Sequence, residues 1–127
     1  MRLDTIRLVR SSVLVLALTV PACAVRAPTT IQDAAQVVGE AALALDAAER
    51  DAFASGLYDA AKHQAIGQAV LRALRGARAF ERAVAAGDAV GPPRLELLGA
   101  LDDVAAAAAG VPAIQAAVFT IRRVLQE

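Results

Sequence analysis

Few side chains in this chain have the chemistry to act on another molecule, and spacing separates them into groups. His63 is the only imidazole, and Asp59 stands four residues before it. At helical spacing the two share a face, where an Asp–His hydrogen bond would serve a general base or a pH-sensitive contact. Asp59 and His63 are therefore the candidate polar pair. Ser55 and Tyr58 are close by, but no pattern joins them to the pair as a triad. An enzyme would need His63 in a tight, solvent-open cluster with acids and a hydroxyl. Tyr58 suits packing, with its hydroxyl at the rim. A lone imidazole without a Glu-x-x-His or His-Glu-x-x-His motif gives no metal site.

A second group is basic. Arg72, Arg75, Arg78 and Arg82 fall within roughly one third of a helical circumference. Such a stripe can face an anion: a phospholipid headgroup, lipopolysaccharide or an acidic glycan. It can equally be a solvated face paired with acids on the preceding helix. No aromatic residues interleave with the arginines, so nucleic acid is not the expected partner. Asp102 and Asp103 are adjacent acids without a visible cleft, where a hydrolytic carboxylate dyad would need one. Gly87, Gly91 and Gly99 are too scattered for a phosphate-binding loop. No cofactor is expected.

Composition limits the classes further. The chain has 127 residues, enough for one domain at most. Net charge is zero, which speaks against a strongly basic nucleic-acid binder or an acidic tail protein. One Cys cannot close a disulfide or build a thiolate metal site. Alanine occurs 33 times and aromatics make up only 3%, a bias toward helix and away from sheet.

That one Cys has a particular setting. Arg2, Arg7 and Arg10 precede an uncharged, mainly apolar run, Ser11 to Val20, too short for a standard transmembrane helix. A charged stretch followed by a short apolar one is the secretory pattern. Val20-Pro21-Ala22-Cys23 then resembles the lipobox of bacterial lipoproteins. Ala22 fits the small residue before the cysteine, Val20 replaces the commoner Leu, and Pro21 departs from the usual Ser, Ala or Thr. The resemblance covers about the first 23 residues and says nothing of the domain behind them. It implies a diacylglyceryl thioether on Cys23, cleavage before it, and sorting by Ala24 to the outer membrane, facing the periplasm, in a Gram-negative host. Lipidation would also remove a thiol that is a liability in an oxidising compartment. The expected organisation is a signal peptide at 1–22, a lipidated tether at 23–29 and a helical domain at 30–127. Processing would leave 10 basic and 12 acidic side chains, a net of −2.

The domain that must position these groups reads as an all-α, small antiparallel helical bundle of three to four Ala-rich helices. Thr30 is the expected cap of a helix over about 31–54, with a stripe of Ile31, Ala34, Ala35, Val38, Ala41, Ala42, Leu45, Ala48 and Ala52. A second helix is expected over about 57–86, with Ile66, Val70, Ala73, Ala77, Phe80 and Val84 at near-heptad spacing. Gly67 and Gly76 inside it predict close helix approach or a bend. A third spans about 93–109 on Leu97, Leu101, Val104 and Ala108. A fourth carries Val111, Ile114, Val118, Ile121 and Leu125. Residues 31–59 hold six acids against Arg50, and residues 62–82 hold five bases against Glu81. These opposite charges predict pairing of the first two helices.

An Ala-heavy core is thin, so a protein partner or self-association through residual apolar stripes is expected, with the seams of helices two and four pointing to contact through a helical face. The function these observations favour is a membrane-tethered, non-enzymatic lipoprotein with a structural or interaction role in the bacterial cell envelope. Its partners would be the membrane, through the lipid, and another protein. The alternative is an anion, headgroup or glycan-binding module using the arginine stripe.

Overall fold

Helix formation begins at Thr30, whose hydroxyl accepts from the Asp33 amide at 3.1 Å and satisfies one of the donors left open at a helix start. The computed structural model describes residues 30–127. Among them are four α-helices and no strand: α1 (Ile31–Ala54), α2 (Ala60–Ala86), α3 (Gly91–Ala107) and α4 (Pro112–Gln126). The expected signal peptide and tether, with Cys23, lie outside the described residues. No helix among the described residues is long and apolar enough to cross a membrane.

The remaining boundaries follow from local chemistry. Asp59 caps α2 by accepting from the Lys62 amide at 2.8 Å, which starts that helix three residues later than the periodicity of Leu57 suggests. Leu57 is left exposed. Gly87 ends α2 in the left-handed conformation, φ 70°, where a side chain would be strained. Prolines in the first turns of α3 and α4 occupy positions whose missing amide costs nothing.

Short connections force neighbours to run antiparallel, and cross-helix contacts record it. Gly39 of α1 lies against Glu81 of α2, while Glu49 meets His63. Gly76 of α2 lies against Leu97 of α3, while Arg72 meets Asp103. The helices form a ring in which α1 and α3 each pack on α2 and α4, and the diagonal pairs do not approach. This is the all-α bundle that the alanine bias and 3–4 periodicity predict.

Every seam residue named above for the second, third and fourth helices is buried. Leu45, Ile66, Leu97, Leu101, Ile114 and Ile121 are the largest side chains sealed from solvent. Each such side chain contributes about 1.5–3 kcal/mol through burial. On α1 the buried stripe narrows to Ala35, Val38, Ala42, Leu45 and Ala52, with Ala34, Ala41 and Ala48 half-buried at its edges and Ile31 exposed. At Gly76 the two helices α2 and α3 approach closely, since a Cβ there would stand 3.1 Å from the Leu97 Cα. Gly67, by contrast, faces open space.

The seams of α2 and α4 are thus consumed inside the bundle and offer nothing to a partner. The large apolar side chains left outside are others, among them Leu43 on α1, Leu71 on α2, Leu95 on α3 and Phe119 on α4.

Candidate functional site

At the end of the bundle where α1 turns into α2, one polar side chain interrupts the core. Glu49 sits in the buried stripe of α1 between Leu45 and Ala52, and only 3% of it is exposed. A carboxylate in such a place needs partners for its oxygens. His63, at the start of α2, supplies one: its Nδ1 meets Glu49 Oε1. As a carboxylate oxygen only accepts, Nδ1 carries the proton and the other ring nitrogen, Nε2, is left as the basic position in the neutral ring. Tyr58 supplies another. Its hydroxyl donates to the Glu49 main-chain carbonyl at 2.8 Å and lies 3.4 Å from Oε1. Burial, the Glu49 charge and the contact with the Glu49 carboxylate push the Tyr58 phenol from 10.0 up to about 12.

Phe53 completes the group. Its ring stacks on the His63 imidazole, with centroids 3.9 Å apart and planes 10° from parallel, and it lies 6.2 Å from the Tyr58 ring. One face of the imidazole is covered while its side chain stays 36% exposed.

The structure therefore gives His63 a different acid from the one sequence spacing offers. Asp59 turns its carboxylate onto the Lys62 amide as a helix cap, and Glu49 from the preceding helix holds the imidazole. Glu49 carried a sequence signal of its own: an acid at a position that 3–4 spacing assigns to the core.

Chemically, the cluster can hold the imidazole in one tautomer and orientation, as a base is held by an orienting acid. Among the described residues, no hydroxyl hydrogen-bonds to His63, and the Tyr58 proton is directed at Glu49. No group of three or more metal-ligating side chains occurs among the described residues.

The four arginines separate. Arg72 reaches α3 and pairs with Asp103 at 3.0 Å. Arg75, Arg78 and Arg82 are exposed and have no ion pair among the described residues. Among the described residues no arginine of α2 forms an ion pair with an acid of α1; Glu49 and His63 join the two helices, Arg72 turns to α3, and Arg78 stands unpaired at the α1–α2 groove. Asp102 and Asp103 are each paired, to Arg122 of α4 and Arg72 of α2, and clamp α3 to both neighbours. Between α1 and α2 runs an open groove of about 340 Å³, lined by Gly39, Leu43 and Leu74 and rimmed by Glu40, Arg78 and Glu81.

Fold and site together define a class, a four-helix all-α bundle with one buried acid–imidazole contact and one unpaired basic helix face. No family model, curated protein or solved structure matches the chain.

Proposed function

We propose that this protein is a small helical lipoprotein of the bacterial cell envelope, tethered by lipid on Cys23 and acting without catalysis through contacts of its bundle. The observation that carries the reading is the Val20-Pro21-Ala22-Cys23 junction behind a basic and then apolar run. The start of the bundle supports it. Helix α1 begins at Ile31, so a cysteine made N-terminal by cleavage would precede the folded body by only a short tether. Two or more acyl chains on that residue would hold the body stably at a bilayer.

A structural use of the cluster around Glu49 fits a non-enzymatic role. His63 is committed through Nδ1 to joining α1 and α2, and Phe53 covers its ring. Contact with other proteins would fall to exposed apolar residues such as Leu95 and Phe119.

Intact-mass spectrometry on protein purified from the membranes of its native cell tests the anchor. The expected mass is that of residues 23–127 plus a diacylglyceryl group, with or without an amide-linked acyl chain. Retention of residues 1–22, an N-terminal Ala24 or an unmodified thiol at Cys23 would remove the proposal.

A further inference from the structure

We infer that the outward face of α2 is a second membrane contact, which lays Arg75, Arg78, Arg82 and Leu71 on the anionic headgroups of the bilayer that holds the anchor. The inference rests on the lipid-anchor reading above and adds to it the side of the bundle that faces the lipid.

Four observations support it. First, the face is uniform. At 100° per residue, Gln64, Gln68, Leu71, Arg75, Arg78 and Arg82 fall within roughly 80° of one another, and no carboxylate lies among them. Second, the charges are unspent. Arg72, just off this face, is paired with Asp103, whereas the three arginines on it have no ion pair among the described residues. Glu40 and Glu81 line the groove toward α1 beside Arg78, and Glu40 accepts a hydrogen bond from Gln36.

Third, the face is convex and extended. Its arginines spread over about 10 Å of helix axis, which suits an array of separate anions better than one enclosed phosphate. Leu71, 52% exposed at the end of the row, can enter the headgroup layer as the apolar member of an interfacial helix. Fourth, the N-terminal part of α1 lies next to the arginine-bearing half of α2, with Gln36 and Gly39 beside Arg78 and Glu81. The stretch from Cys23 to Thr30 extends at most about 25 Å, so a lipid on Cys23 keeps that part of α1, and with it the arginines, near the membrane. One anchor plus a basic patch is the two-signal arrangement that makes membrane attachment stable.

Arginine footprinting on the purified full protein tests the contact. The protein is reconstituted into vesicles of phosphatidylcholine alone or of phosphatidylcholine with phosphatidylglycerol, treated with phenylglyoxal and mapped by peptide mass. Arg75, Arg78 and Arg82 should label several-fold more slowly on the anionic vesicles, with the difference lost in high salt. Arg50, which is exposed on α1 and paired with Asp46, should label equally on both. Equal labelling of the three arginines on the two vesicle types overturns the inference. So does equal protection by inorganic phosphate on neutral vesicles, which would mean a small-anion site. The intact mass of the same preparation separates the two readings. An acylated Cys23 with unprotected arginines overturns the docking face and keeps the anchor. Protection with an unmodified Cys23 supports the face and overturns the anchor.

Discussion

The carboxylate of Glu49 and the Nδ1 of His63, fourteen residues apart in sequence, meet across the α1–α2 junction with the acid almost wholly buried and the imidazole at the surface. The pair is asymmetric. Glu49 has exchanged water for His63 and Tyr58, while His63 keeps solvent along part of its ring. Removal of either partner should therefore have unequal effects.

His63→Ala leaves a buried acid with fewer partners and should destabilise the bundle by about 1–3 kcal/mol. That is below the cost of breaking a fully buried ion pair, because the imidazole is partly solvated. Glu49→Leu replaces the acid with an apolar side chain of similar size and should stay within about 1 kcal/mol of the wild type, or exceed it. Urea denaturation of both variants measures the difference. Greater loss from Glu49→Leu than from His63→Ala would contradict the arrangement.

Tyr58 predicts alkaline sensitivity. Its folded pKa of about 12 lies above the unfolded 10.0, so between those values the folded protein holds a proton that the unfolded chain has released. Stability from this group is complete below pH 10 and is lost as pH rises toward 12. Ultraviolet titration of the single tyrosine should show the late ionisation. Tyr58→Phe should flatten this part of the pH dependence and cost about 1 kcal/mol for the lost hydrogen bond to Glu49. An ordinary midpoint near 10 in the folded protein would count against the contact.

The two glycines inside α2 should respond in opposite directions. Gly67→Ala meets open space and should gain about 0.5–1 kcal/mol of helix propensity. Gly76→Ala sets a methyl against the main chain of Leu97, which moves only if α3 moves, so a net loss of about 1 kcal/mol is expected. Thermal melts of the two variants, compared with the wild type, decide the point.

Asp59 separates capping from catalysis or pH sensing. Asp59→Ala should cost about 1 kcal/mol, whereas Asp59→Ser, which restores an acceptor for the Lys62 amide, should recover most of it. If serine proves as costly as alanine in chemical denaturation, the carboxylate has some task other than the cap.

The exposed ion pairs should matter less than the buried contact. Asp103→Asn removes the partner of Arg72, and Asp102→Asn that of Arg122; each should change stability by less than about 1 kcal/mol. Urea midpoints of the single variants test this, and a loss of several kcal/mol from either would show that the clamp on α3 is structural.

Much of the bundle was legible in sequence because helices leave local marks. Alanine bias and the Thr30 cap act within a turn of where they stand, and a 3–4 apolar stripe names its own buried face. The same logic places Leu97, Leu101 and Val104 inside without knowledge of what they touch. Boundaries slipped where two local signals competed: the apolar Leu57 suggested an earlier start to α2, and the Asp59 cap decided it.

What sequence periodicity could not assign was the partner of each polar side chain. Asp59 and His63 share a helix face, so spacing alone favours them as a pair, yet a cap bond is shorter-ranged still and takes the carboxylate first. Glu49 becomes available to His63 only when α1 and α2 fold back antiparallel. The same geometry sends Arg72 to Asp103 and leaves Arg75, Arg78 and Arg82 in solvent. Sequence by itself determined the helices and their buried faces, because backbone hydrogen bonds and apolar periodicity are local. Tertiary structure alone decided which charges are joined and which remain exposed, because a side chain's partner across a helix interface depends on the register of two separate axes.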